Sequence, residues 1–248
     1  MSTEVALKPR HPTVADLRVK IFADGAHKHG MLEMYRNPLI SGFTTNPTLM
    51  RKAGVSDYRA FAKEILEAIP DRPISFEVFA DDAREMERQA LEIASWGSNV
   101  YVKIPITNTS AEPMLPLIRA LSQGSVKVNV TAMMTAEQVA RVADAVAGGA
   151  PCYASVFAGR IADTGRDPLP IMREALRHLE RSPNAELLWA SPRELLNIFQ
   201  ADEIGCHAIT ATNDILLKLG LVGKDLSEYS LETVRMFRGD AVSAAYEL

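Results

Sequence analysis

The sequence predicts an α/β fold, a (β/α)8 barrel with one additional helix at its C-terminal end. Short apolar runs rich in β-branched residues alternate with longer amphipathic stretches, and eight such units recur. A length of 248 residues suits one barrel of this kind. An open doubly wound sheet would use fewer strands and begin with a Gly-rich phosphate loop, and neither GxGxxG nor a P-loop motif occurs.

The first predicted strand, Arg18–Asp24, is an apolar run closed by a carboxylate, and the second, Gly42–Asn46, stops at Pro47. A helix over Tyr58–Ile69 leads to strand Ile74–Phe79, and one over Asp82–Ser95 to strand Asn99–Ile104. The pattern continues with helix Ala111–Ser122, strand Val126–Thr131, helix Ala136–Ala147, strand Cys152–Phe157 and helix Leu169–Glu180. Strand Glu186–Ala190, helix Pro192–Gln200 and strand Cys206–Thr210 complete the barrel, and a last helix over Ser230–Tyr246 has no strand after it. With no low-complexity tract or interior linker, residues 1–248 read as a single domain.

Composition narrows the partners. Lys and Arg total 27 against 31 Asp and Glu, a net charge of −4, which argues against a broad nucleic-acid surface. No stretch approaches the roughly 18–20 unbroken apolar residues of a membrane span. The N-terminus, MSTEVALKPRHPTVADLR, lacks the charged start, apolar run and cleavage site of a secretion signal, so a cytoplasmic protein is expected. Cys152 and Cys206 lie in separate apolar runs and are expected to be buried thiols, while His11, His27, His29, His178 and His207 show no ligand spacing and read as surface or packing residues.

Strands of a covered parallel sheet should be almost wholly apolar, so polar residues inside them need a reason. In Val126–Thr131 the valines take one parity and Lys127, Asn129 and Thr131 the other, which places the polar set in the lumen. The same parity turns Tyr101 and Lys103, and Ser75 and Glu77, inward. Barrel sites form at the C-terminal face, where Asp24, Asn46, Glu77, Lys103, Asn129, Thr131 and Ser155 then make one constellation. A satisfied buried ion network is the main purely structural alternative, and Thr45 and Asn46 also suit a simple turn before Pro47.

An ammonium moved into a barrel lumen loses hydration, which favours the neutral amine, and a neutral amine attacks ketones. The protonated imine that follows is an electron sink beside which a carbon–carbon bond can break or form. Here Lys103 is the amine, Asp24 and Glu77 supply acid and base, and Thr131 can position a water; no metal or other cofactor is called for. Beyond the sixth and seventh strands, Arg160, Ser191, Arg193 and a helix start predicted near Pro192 suit a phosphate monoester, unless both arginines serve only in surface pairs.

Seven short motifs stand in order: Ala23-Asp24, the run from Gly42 through Thr44-Thr45-Asn46-Pro47 to Leu49, Phe76-Glu77-Val78, Val102-Lys103-Ile104-Pro105, Asn129-Val130-Thr131, Phe157-Ala158-Gly159-Arg160-Ile161 and Ala190-Ser191-Pro192-Arg193. In them the chain resembles the transaldolases and their relatives the fructose 6-phosphate aldolases. The resemblance implies Lys103 as the Schiff-base lysine, Asp24 as the acid/base for bond cleavage, and Glu77 with Thr131 as holders of the catalytic water. It implies Asn46, Asn129 and Ser155 on the hydroxyls of a three-carbon unit, and Arg160, Ser191 and Arg193 on the sugar phosphate. The implied substrates are a ketose phosphate donor and an aldose phosphate acceptor, and the implied assembly is a homo-oligomer. The aldolase branch tends to carry Tyr at Phe157 and Gln at Glu77, so both positions favour the transferase branch. Gly25 and Val156 depart from the family pattern of Thr or Ser and Pro, which leaves room for an unusual acceptor sugar. The rival readings are an aldolase that releases free dihydroxyacetone, another Schiff-base lyase, and a sugar-phosphate binder without catalysis.

Overall fold

Eight parallel strands pair in chain order and close, β8 against β1, in the computed structural model, which describes residues 13–247. They are β1 (Lys20–Asp24), β2 (Ile40–Thr44), β3 (Ile74–Glu77), β4 (Val100–Pro105), β5 (Val128–Met133), β6 (Cys152–Val156), β7 (Ala185–Trp189) and β8 (Ala208–Thr212). The helices among the described residues are α1 (Lys28–Tyr35), α2 (Pro47–Lys52), α3 (Tyr58–Ala68), α4 (Ala83–Ala94), α5 (Leu115–Gln123), α6 (Ala136–Val146), α7 (Ala158–Asp163), α8 (Leu169–Leu179), α9 (Leu196–Glu203), α10 (Asn213–Leu216) and α11 (Leu226–Ser243). The barrel lies within one unit, Arg18–Leu217; residues 13–17 and 218–247 form a second, which contains α11. Among the described residues no helix is long and apolar enough to cross a membrane.

The predicted strands are all present, displaced by no more than two residues at either end. Local hydrogen bonds explain the larger shifts. The Arg18 and Val19 amides donate to the Asp202 carboxylate at 2.6 and 2.9 Å instead of entering the ladder. The Val126 amide donates to the Leu121 carbonyl and the Cys206 amide to Ala201, each at 2.9 Å, so both residues still close the preceding helix.

Helix starts differ more. The helix predicted from Ala111 begins at Leu115, because the Asn108 side-chain oxygen accepts the Ser110 and Glu112 amides and holds a loop. The helix predicted from Pro192 begins at Leu196, because the Asn197 side chain accepts the Arg193 and Glu194 amides. The last helix begins at Leu226 and ends at Ser243, earlier than predicted at both ends; the Asp225 carboxylate caps it, accepting the Ser227 and Glu228 amides.

Outward-facing residues Phe76, Val102, Val128 and Val130 are fully buried between strands and helices. Burial of this kind contributes about 1.5–3 kcal/mol for each large apolar side chain. Inside the barrel, Phe22, Tyr153, Leu188, Ala190 and Ala208 form a second cluster, with Tyr101 and Phe157 packed against it. The Phe22 and Tyr153 rings meet edge to face at 5.4 Å. A Cβ on Gly42 would lie 2.7 Å from the tip of the Phe22 ring, so the absent side chain makes room for that filling.

Cys152 and Cys206 are buried free thiols, and burial pushes each up to about 12. His207 is a packing residue: its Nδ1 accepts the Leu187 amide at 2.9 Å, and burial lowers its pKa. His11 lies outside the described residues.

Candidate active site

Strand register builds the centre of the site. Glu77 on β3 stands opposite Lys103 on β4, which stands opposite Asn129 on β5. Inward parity then brings three polar side chains side by side above the aromatic filling. Lys103 is 6% exposed; its Nζ donates to Glu77 Oε2 at 2.9 Å and to the Thr45 carbonyl at 2.8 Å.

Asp24 ends β1 opposite Thr44, whose hydroxyl donates to Asp24 Oδ1 at 2.7 Å. The Thr44 and Thr210 hydroxyl oxygens are 2.6 Å apart; since the Thr44 proton goes to Asp24, Thr210 is the donor between them. Burial raises the Asp24 pKa, with Lys103 and the Thr44 hydrogen bond pulling down and Glu77 adding to the rise. The Asn129 amide donates to Ser75 Oγ at 3.0 Å and its carbonyl accepts from Ser155 Oγ at 2.6 Å, which fixes the amide orientation.

The raised Asp24 means that the fold takes up a proton there, so its contribution to stability falls as pH climbs from the ordinary carboxylate value through the raised one. Asp24→Asn is therefore expected to raise the melting temperature at pH 7, with about 2–4 °C for each 1 kcal/mol gained. The gain should vanish below about pH 4, where the carboxyl is protonated in both states. Melting curves of both proteins across that range check this, and an Asn variant with an unchanged or lower midpoint at pH 7 would contradict it.

The remaining predicted residues gather at the same rim. Asn46 caps α2, accepting the Leu49 amide at 2.9 Å, so its turn role and its place at the site coexist. The Thr131 hydroxyl is buried with no hydrogen-bond partner among the described residues. After it the β5–β6 register slips and Ala132 takes φ 64°, a bulge beside the site. The Arg160 guanidinium lies 5.6 Å from the centre of the Phe157 ring. Arg193 donates through Nε to Asp163 at 2.8 Å and through Nη2 to the other carboxylate oxygen, a pair that lowers the Asp163 pKa. Arg193 thus does form a surface pair. Because α9 starts at Leu196, the helix terminus expected at Pro192 is not part of the rim.

All eleven candidate residues line one cavity of about 550 Å³: Asp24, Asn46, Glu77, Lys103, Asn129, Thr131, Ser155, Phe157, Arg160, Ser191 and Arg193. Sequence reading missed the hydroxyls of Thr44 and Thr210 and the Asp163 carboxylate that engages Arg193. The two threonines carried a signal, being polar residues inside apolar runs; Asp163 carried none. Among the described residues no three His, Cys, Asp or Glu side chains are gathered as a metal site.

The fold and this rim define a barrel enzyme with an amine–carboxylate centre. The chain belongs to the transaldolase/fructose-6-phosphate aldolase family, whose sequence model, described as Transaldolase/Fructose-6-phosphate aldolase, matches residues 21–247. It is 33% identical to a protein named "Probable transaldolase" from Dehalococcoides mccartyi over 202 residues, 81% of this chain and 90% of that one. It is 32% identical to one of the same name from Pelotomaculum thermopropionicum over 217 residues, 86% of this chain and 94% of that one. Solved structures with the same fold include 3-hexulose-6-phosphate synthase, with a TM-score of 0.57 and 14% identity, covering 81% of this chain and 92% of that one. Another is dihydrodipicolinate synthase from Rhodopseudomonas palustris, with a TM-score of 0.55 and 15% identity, covering 93% of this chain and 81% of that one. At such identities the likeness concerns the fold alone.

Proposed function

We propose that the chain moves a three-carbon dihydroxyacetone unit from a ketose phosphate to an aldose phosphate through an imine on Lys103. The observation that carries this is the Lys103 amine, buried at the head of the cavity and bonded to the Glu77 carboxylate, with Asp24 on the same cavity wall. Membership of an aldolase-type family supports it.

In this reading the Lys103 ammonium passes a proton to Glu77 and the freed amine attacks the donor carbonyl, giving a carbinolamine. Water then leaves, with Glu77 returning the proton and the unpartnered Thr131 hydroxyl holding the water. Asp24 takes the proton of the hydroxyl on the far carbon of the bond to be broken; that carbon becomes the aldehyde as the bond cleaves, the bond's electrons flow into the imine, and an aldose phosphate departs. Burial makes Asp24 a stronger base than an exposed carboxylate. The remaining enamine attacks the acceptor aldehyde, Asp24 gives its proton back, and water releases the product. Asn46, Asn129 and Ser155 hold the three-carbon unit; Arg160, Ser191 and Arg193 hold the phosphate.

Phe157 decides between transfer and simple release, because its ring carries no proton donor for the enamine. Phe157→Tyr is expected to raise release of free dihydroxyacetone by about tenfold when no acceptor is present. A screen of ketose phosphates with and without aldose phosphates, assayed for transferred product and for free dihydroxyacetone, tests the whole reading. Free dihydroxyacetone as the main product of the unmodified chain would favour the aldolase alternative, and no turnover of any donor would remove both.

A further inference from the structure

We infer that Tyr58, at the start of α3, is a positioning residue for Glu77: its phenol replaces the strand partner that β2 does not provide and so sets where the Glu77 carboxylate meets Lys103. This rests on the proposed role of the Lys103–Glu77 pair.

The β2–β3 ladder runs from the Phe43 amide to the Pro73 carbonyl and from the Thr45 amide to the Ser75 carbonyl, at 2.8 and 3.1 Å. A continued parallel ladder would next bond the Glu77 amide to the Thr45 carbonyl. It does not, because Asn46 caps α2 and Pro47 opens it, turning the chain away from β3. Three groups are left over. The Thr45 carbonyl accepts Lys103 Nζ at 2.8 Å, and the Glu77 amide and carbonyl face a gap in the sheet.

Tyr58 fills that gap. Its hydroxyl accepts the Glu77 amide and donates to the Glu77 carbonyl, both at 2.8 Å. Both backbone groups of one residue are thereby satisfied by a single oxygen. The ring is wedged among Phe76, Phe79 and Trp96, with centroids 6.3, 5.8 and 5.8 Å away, and the Asp57 cap on the Ala60 amide fixes the turn from which it projects. Burial raises the phenol pKa, so the proton needed for the bond to the Glu77 carbonyl stays in place. The arrangement serves the amine twice. It releases the Thr45 carbonyl to hold Nζ, and it anchors the residue whose side chain contacts Nζ.

Tyr58→Phe keeps the ring and removes only the hydroxyl. Expected is a fall in kcat of about tenfold, with KM for the ketose phosphate donor within about twofold, since a misplaced group near the reacting atoms costs rate more than binding. The deciding measurement is the double-mutant cycle. In a Glu77→Gln background, Tyr58→Phe should change the residual kcat by less than about twofold, because its effect passes through the carboxylate. The same tenfold loss in both backgrounds, or wild-type kcat in Tyr58→Phe, overturns the inference. Should Tyr58→Phe not fold, Asp57→Ala, which loosens the turn and leaves the hydroxyl in the chain, gives the answer: a severalfold fall in kcat supports the inference, and a lowered melting temperature with unchanged kcat overturns it. A wild-type chain that forms no borohydride-trapped adduct at Lys103 overturns both this inference and the reading beneath it, whereas a trapped adduct with unaffected Tyr58 variants overturns this inference alone.

Discussion

Replacing Lys103 with Met is expected to abolish turnover, lowering kcat by about 10⁴-fold or more, because Lys103 is the buried amine of the cavity, the other lysine on its lining, Lys52, being exposed. Borohydride reduction in the presence of a ketose phosphate should add the mass of a reduced three-carbon unit to the peptide containing Lys103 in the wild-type chain and to no peptide of the variant. The substitution also leaves the Glu77 carboxylate without its cation at 2.9 Å, and breaking such a pair costs about 3–5 kcal/mol when it is buried. A loss of activity could then reflect unfolding. The double variant Lys103→Met/Glu77→Gln separates the two effects, since it removes both charges and should recover stability without recovering activity. Turnover within tenfold of wild type in the single variant, or an adduct on another peptide, would end the proposed chemistry.

Gly159→Ala is expected to damage both segments assigned to the phosphate, the start of α7 and the loop before α9. A Cβ there would lie 1.5 Å from the Ser191 carbonyl oxygen and 2.7 Å from its carbon, so backbone has to move. Ser191 already sits at φ 56°, a conformation costly for a residue with a side chain, and has little freedom to yield. The expected cost is about 3 kcal/mol or more, with KM for phosphorylated donors rising further than KM for unphosphorylated ones. Gly25→Ala is the control, because an added Cβ there meets nothing within 4 Å. Melting curves and KM values for the two variants check this. A Gly159→Ala protein with wild-type stability and wild-type KM for a ketose phosphate would show that the close approach of the two segments is not needed.

Alternation of side chains along strands made the centre of the site legible in advance. Parity alone turns Lys103, Glu77, Asn129 and Thr131 inward, and strand register then sets Glu77, Lys103 and Asn129 side by side. Less was legible at the edges of elements, where a distant side chain decides the outcome. The carboxylate of Asp202 takes the first two amides ahead of β1, and Asn197 delays α9 past Pro192. Neither effect leaves a periodic trace. In the sequence Tyr58 is only the first residue of the helix expected over Tyr58–Ile69, and only the departure of β2 at Pro47 gives its hydroxyl a task on β3. The pairing of Arg193 with Asp163 likewise joins residues 30 apart in the chain, the last of α7 and one in the loop before α9.

The aromatic filling beneath the site has a consequence for traffic. Phe22, Tyr101 and Tyr153 pack together inside the cylinder, and among the described residues the cavity that holds Lys103 opens at the rim. On the proposed reaction, the aldehyde split from the first sugar has to leave by the route the second must use to arrive. The two visitors then take turns, and the enzyme keeps the three-carbon fragment as its record of the first while it waits for the second.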